Sequence, residues 1–128
     1  PAQGAGLHVG LDGCSMGGYV ALEVFLRKPE IFGTFGGVQS AFSTGAAARY
    51  AERLASAVKR VGRLPIHLET STADPFRKAN EQLSRRLSAL GVENQLSVVP
   101  GPHDQPWLRE AGTLEMLLFH DRNLGARA

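Results

Sequence analysis

The sequence is poor in cysteine, with a single residue, Cys14, among 128. That excludes a disulfide framework within the chain and a four-cysteine zinc site. Charge of one sign is also scarce. Fourteen Lys and Arg stand against twelve Asp and Glu, a formal net charge of +2, too small an excess for electrostatic capture of nucleic acid. No stretch approaches the roughly 18 consecutive apolar residues that a membrane span needs. There is no G-x-G-x-x-G, and the glycine run is not followed by the Lys-Ser/Thr of a phosphate loop, so nothing favours a nucleotide cofactor. The four histidines are scattered and lack metal-ligand spacing, so neither a metal nor any cofactor is expected. The opening Pro1-Ala2-Gln3-Gly4-Ala5-Gly6 lacks the charged start and apolar middle of a signal peptide. The expectation is a processed, truncated or partial chain that is soluble, with a cytoplasmic location favoured over export.

What is present is a composition of 43% hydrophobic and 20% charged residues, ordinary for a folded domain and unlike a disordered one. Leu7 to Asp12 alternates apolar and other residues, a strand pattern. A glycine-rich turn follows, from Gly13 to Gly18. Tyr19 to Lys28 reads as a helix with Val20, Val24 and Leu26 inward, stopped by Pro29. Phe32 to Gln39 reads as a buried, glycine-interrupted strand. Ala46 to Val61 is a helix with Tyr50, Leu54 and Val58 on one face and Gly62 at its end. Ile66 to Thr70 is a strand. Pro75 to Leu90 is the clearest helix, with Phe76, Ala79, Leu83, Leu87 and Leu90 as one apolar stripe, Asp74 as N-cap, Pro75 first and Gly91 as terminator. Gln95 to Val99 is a strand, and Gln105 to Phe119 a last helix weakened by Gly112. This alternation predicts an α/β fold, a three-layer sandwich in which about four parallel strands carry helices on both faces.

Gly13-Cys14-Ser15-Met16-Gly17 matches G-x-S-x-G between a predicted strand and a predicted helix, the context in which a strained turn lifts a serine hydroxyl above the sheet edge. Such a turn leaves its flanking glycine positions room for little more than hydrogen. Gly18 extends the small-residue run and permits close packing. The helix that follows points its N-terminus at the site, so the Met16 N–H can face a developing oxyanion. A serine hydroxyl is a weak nucleophile and needs a base, itself oriented by an acid. Parallel strands deliver their C-terminal ends to one edge, so the partners are sought just past later strands. His8 and His67 lie inside strands and His120 at the end of the last helix. His103, in Pro100-Gly101-Pro102-His103-Asp104, follows a strand directly. The acid is sought after the preceding strand, where Asp74 stands. Glu69 and Asp104 compete, but Glu69 would have to lie at a strand end and Asp104 is adjacent to His103. Cys14 precedes the apex of the turn and is expected to point away from it, as a small buried hydrophobe.

The order Ser15, Asp74, His103 is the α/β-hydrolase order rather than that of chymotrypsin or subtilisin. The chain resembles the enterochelin-esterase-like, esterase-D-like and mycolyltransferase-like branch of the α/β-hydrolase superfamily. The matching pieces are Asp12-Gly13-Cys14-Ser15-Met16-Gly17-Gly18, Lys28-Pro29-Glu30-Ile31-Phe32-Gly33, Thr72-Ala73-Asp74-Pro75-Phe76, the stretches from Ala79 to Leu87 and Ala89 to Val92, and Pro100-Gly101-Pro102-His103-Asp104 with Trp107. The resemblance implies Ser15 as nucleophile, Asp74 as acid and His103 as base. Pro102 stands where such proteins often have Gly, which stiffens the histidine loop, and Trp107 is expected to pack beneath it.

The fold it resembles has eight strands, of which this chain supplies about four. The earlier strands carry the second oxyanion donor. Residues 1–128 are therefore expected to be the C-terminal portion of one hydrolase domain. Either the missing N-terminal half or another chain would cover the edge of the Leu7 to Asp12 strand, which is otherwise an aggregation hazard. The function expected is hydrolysis of a small carboxylic ester through an acyl-enzyme. The alternatives are an acyltransferase with the same triad and a non-catalytic binding module.

Overall fold

The computed structural model describes residues 9–124. Four parallel strands, β1 (Gly10–Cys14), β2 (Thr34–Val38), β3 (Ile66–Ser71) and β4 (Gln95–Val99), form one sheet in the order β1-β2-β3-β4. Helices α1 (Met16–Arg27), α2 (Thr44–Val61) and α3 (Arg77–Ala89) alternate with them. A last helix, α4, has α-helical pieces Gln105–Trp107 and Thr113–Asn123 joined by a π turn, Leu108–Gly112. The expected three-layer α/β architecture is present.

Strand alternation sorts the side chains. Leu11, Phe35, Ile66, Leu68 and Leu96 meet Leu22, Phe25, Leu54, Leu83 and Leu87 of α1, α2 and α3. Val38 on the opposite face meets Trp107, Met116 and Phe119 of α4. Every residue of β2 and β3 is buried, as both-face coverage of a central parallel strand requires.

Several boundaries and faces differ from the sequence reading. The first strand runs from Gly10 to Cys14, and Leu7 and His8 lie outside the described residues. Helix α1 starts at Met16, directly from Ser15, and buries Gly18, Ala21, Leu22 and Phe25, while Val20 and Val24 are exposed. Its phase is set by Gly18, where an added Cβ would collide with Ser40, so the glycine must face inward and the valines turn out. Helix α2 starts at Thr44, and the Ser43 hydroxyl caps it by accepting the Ala46 N–H at 3.1 Å. Helix α3 starts at Arg77, two residues late, and its N-cap is Phe76 rather than Asp74. The Asp74 carboxylate is engaged in a local turn, with Oδ1 accepting the Phe76 N–H at 3.0 Å. Leu90 is the C-cap of α3 and half exposed.

Helix α4 continues to Asn123, past the expected end, and Gly112 does not break it. An added Cβ at Gly112 would crowd Val38, Trp107 and Glu69, so only glycine lets the helix lie this close to the sheet. Thr113 gives both its N–H and, at 2.9 Å, its hydroxyl to the Leu108 carbonyl, satisfying the π turn. Cys14 is exposed rather than buried. It ends β1, which among the described residues has a neighbouring strand on one side only, so its side chain keeps contact with solvent.

Candidate active site

The turn between β1 and α1 holds Ser15 at φ 56° and ψ −122°, a region sparsely populated by any residue with a side chain and costing on the order of 1–3 kcal/mol. The surroundings hold it there. The Ser15 N–H donates to Val38 O at 2.8 Å, and the Ser15 carbonyl accepts from Gly18 at 3.0 Å and from Ala41 at 3.0 Å. Gly13 cannot carry a Cβ, which would collide with the Gly17 backbone. Gly17 itself faces open space among the described residues, so only one of the two flanking positions is cramped. Met16 opens α1, and its N–H therefore belongs to the helix donors that lack an intrahelical acceptor. The positive end of the helix dipole reinforces this direction.

His103 stands in the loop after β4. Its ring takes both neighbours: Nε2 lies 2.7 Å from Ser15 Oγ, and Nδ1 lies 2.8 Å from Asp74 Oδ1. Both lengths are those of good hydrogen bonds. With Nδ1 protonated, the ring donates to the carboxylate and Nε2 accepts from the hydroxyl. The Asp74 side chain is fully buried, and the imidazole retains about a fifth of its exposure. The second carboxylate oxygen accepts the Thr70 hydroxyl at 2.6 Å. Phe76 meets the imidazole edge-on, with ring centroids 5.8 Å apart.

The histidine loop is held mostly through its carbonyls, since two of its residues are prolines without N–H groups. Pro100 O accepts the Trp107 indole N–H at 3.1 Å, Gly101 O accepts the Ala73 N–H at 3.0 Å, and Gly101 N donates to Thr72 Oγ1 at 3.1 Å. Trp107 lies against Gly101, whose φ of 139° suits glycine.

The structure thus brings Ser15, Asp74 and His103 together and sets Met16 beside them. It does not bring the competing acids there. Asp104 caps α4 by accepting the Trp107 N–H at 3.0 Å. Glu69 is buried in mid-strand, with His67 Nε2 at 3.6 Å from its Oε1. His120 joins Thr34 Oγ1 and Asp12 Oδ2, each at 2.7 Å, tying α4 to β1 and β2. Sequence reasoning missed Thr70, Ser71, Thr72 and Gln39, the polar residues that support the acid and the histidine loop. The clue available was their clustering at the ends of β2 and β3.

No protein-family model matches the chain, and no curated protein matches it. Solved structures do. A ferulic acid esterase superposes at a TM-score of 0.79 with 17% identity, covering 96% of this chain and 54% of that one. A dienelactone hydrolase from Anabaena variabilis superposes at 0.64 with 21% identity, covering 91% and 50%. A CIB-like hydrolase from Thermoplasma acidophilum gives 0.56 and 22%, covering 94% and 52%. The fold is that of the α/β hydrolases. The chain spans about half the length of these hydrolase-fold structures. Within this α/β-hydrolase fold, Ser15, Asp74 and His103 stand after β1, β3 and β4, all at the C-terminal edge of the sheet.

Proposed function

We propose that the protein is a serine hydrolase that cleaves a carboxylic ester through an acyl-enzyme, with Ser15 as nucleophile, His103 as base and Asp74 as its orienting acid. The observation that carries this reading is the unbroken hydrogen-bonded path from Ser15 Oγ through the imidazole to Asp74, at 2.7 and 2.8 Å. The names of two neighbours, an esterase and a lactone hydrolase, favour carboxylic esters as the substrate class.

In this mechanism Ser15 Oγ bonds to the ester carbonyl carbon while its proton passes to His103 Nε2. The carbonyl oxygen becomes an oxyanion, stabilised by the Met16 N–H. The C–O bond to the alcohol then breaks and the alcohol leaves with the proton from Nε2. Water repeats the sequence on the acyl-enzyme, giving the acid and restoring Ser15. Asp74 remains ionised throughout and stabilises the imidazolium.

The reading also includes a covering segment for the edge of β1 that no described strand pairs, either an N-terminal half of a longer hydrolase domain or a separate chain, which would bring the second oxyanion donor. Support comes from apolar side chains left exposed next to β1 and on the two helices that touch it: Val9 before the strand, Met16, Val20 and Val24 on α1, and Leu114, Leu117 and Leu118 on α4. Lacking one donor lowers turnover by roughly 10²–10³.

The test is a fluorophosphonate reporter applied to the protein, with the modified peptide identified by mass spectrometry. Labelling at Ser15, lost in Ser15→Ala and slowed in His103→Ala, supports the hydrolase. Labelling that persists in Ser15→Ala places the nucleophile elsewhere. An unlabelled wild-type protein favours a binding module.

A further inference from the structure

We propose that Gln39 is a positioning residue for His103, acting through the carbonyl of Pro102, and that it couples the base to the backbone that holds the nucleophile. The proposal rests on the reading of Ser15, His103 and Asp74 as the reactive set.

Gln39 closes β2 and is completely buried. Its φ of 49° is left-handed, a conformation that glycine or asparagine adopts far more readily than glutamine. Its backbone N–H donates to Glu69 O at 2.7 Å. Its side-chain nitrogen donates to Ser71 Oγ at 2.7 Å and to Pro102 O at 3.0 Å. Ser71 Oγ in turn donates to the same Pro102 carbonyl at 3.0 Å. The carbonyl can only accept, which fixes the nitrogen of the amide toward it. The amide oxygen is then buried without a hydrogen-bond partner among the described residues.

A residue chosen to fill space would carry neither the left-handed backbone nor an unpaired buried oxygen, since both are unfavourable. What the glutamine supplies in return is a second donor to the carbonyl that immediately precedes His103. Pro102 has a fixed φ, so orienting its carbonyl sets the Pro102–His103 peptide plane and with it the origin of the imidazole. Serine alone would leave this plane held by one short side chain.

The same segment grips the nucleophile. Val38 O accepts the Ser15 N–H at 2.8 Å and Ala41 N donates to Ser15 O at 3.0 Å. Gln39 lies between these two contacts, so residues 38–41 fix the Ser15 backbone from one side and the His103 loop from the other. A shift of about 1 Å between nucleophile and base costs roughly 100-fold in rate, and this segment is what sets their separation.

The test compares wild type, Gln39→Asn, Gln39→Met and Ser71→Ala. Asparagine suits the left-handed backbone but is one methylene too short for Pro102, so it separates loss of the contact from failure to fold. Methionine keeps the length and removes the donor. Two measurements are made on folded protein: the rate of fluorophosphonate labelling at Ser15, and the NMR shifts of the His103 ring with its Nδ1 proton. Gln39→Asn and Gln39→Met are expected to label roughly 10- to 100-fold more slowly, with the His103 signals displaced. Ser71→Ala, which leaves one donor, is expected to fall between. If the methionine variant does not fold, the asparagine variant decides. Wild-type labelling and wild-type His103 signals in Gln39→Asn overturn the proposal, as does a lowered melting temperature with unmoved His103 signals. If the wild type itself is not labelled, the hydrolase reading fails, and the imidazole shifts still decide whether Gln39 holds the loop.

Discussion

The Asp74 carboxylate lies 2.8 Å from His103 Nδ1 and is fully buried. The same oxygen accepts the Phe76 N–H, and its partner oxygen accepts the Thr70 hydroxyl. Asp74→Asn keeps one oxygen as the acceptor for Phe76, places an amide NH₂ where an oxygen accepted the Thr70 hydroxyl, and removes the charge that stabilises the imidazolium. Ester turnover and fluorophosphonate labelling are expected to fall by roughly 10²- to 10⁴-fold. Folding stability is expected to change by about 1 kcal/mol, read from urea denaturation. Unchanged labelling would remove Asp74 from the reactive set.

The glycines around Ser15 differ in what they tolerate. Gly13→Ala drives a Cβ into the Gly17 backbone, which has no flexible end to yield. It is expected to destabilise by at least about 1–3 kcal/mol. Gly18→Ala meets Ser40, including its backbone, and is expected to behave similarly. Gly17→Ala meets nothing among the described residues and replaces a helical glycine, so it is expected to be neutral or to stabilise by up to about 1 kcal/mol. Urea midpoints of the three variants check this order.

The parts of this molecule legible in its sequence are those governed by periodicity and chain direction. Ala79, Leu83 and Leu87 repeat at helical spacing and are buried. Parallel strands send Ser15, Asp74 and His103 to one edge, so their meeting could be read from element order alone. The inward face of α1 could not. Two valines outweigh a glycine on any hydrophobicity scale, yet Gly18 faces inward because Ser40 occupies the space its side chain would need. The exposure of Cys14 was not legible either, because exposure on an edge strand depends on which neighbours are present. Gln39 left no periodic signal, since its partner Pro102 is 63 residues away.

Helices α1 and α2 are joined by Glu23, which accepts Tyr50 Oη–H at 2.6 Å and two Arg53 N–H bonds at 3.2 and 3.3 Å. The Arg53 hydrogen bonds, then that of Tyr50, hold the Glu23 carboxyl below its ordinary 4.5. Because the folded value is the lower one, this contribution to stability is complete above the ordinary carboxylate range and is lost as pH falls through the lowered value. Glu23→Gln is expected to lower stability by a few tenths to about 1 kcal/mol at pH 7, for a partly exposed pair. The gap between wild type and variant in urea midpoint should close on acidification. Burial, then the Glu23 bond, pushes the Tyr50 phenol well above its ordinary range. That contribution is present below the ordinary value of 10.0 and declines as pH rises beyond it.

A second buried polar pair takes no part in the proposed chemistry. Glu69 is fully buried with neither carboxylate oxygen hydrogen-bonded among the described residues, and His67 Nε2 lies 3.6 Å away, also without a hydrogen bond. His67 otherwise stacks on Phe119, with centroids 5.2 Å apart, and its Nδ1 meets Gln95 Oε1 at 3.3 Å. At 3.6 Å the two groups do not hydrogen-bond, so their contact leaves the burial of both polar groups uncompensated. His67→Phe alone keeps the ring against Phe119 but leaves the Glu69 carboxyl buried in a more apolar site, and is expected to destabilise by about 1–3 kcal/mol. Replacing both, as His67→Phe with Glu69→Leu, removes both uncompensated polar groups and is expected to be neutral or stabilising by about 1–3 kcal/mol. Guanidinium denaturation of the two variants distinguishes these outcomes. A double variant as unstable as the single one would mean that the pair contributes hydrogen-bonded structure, through bound water, that its direct contacts do not supply.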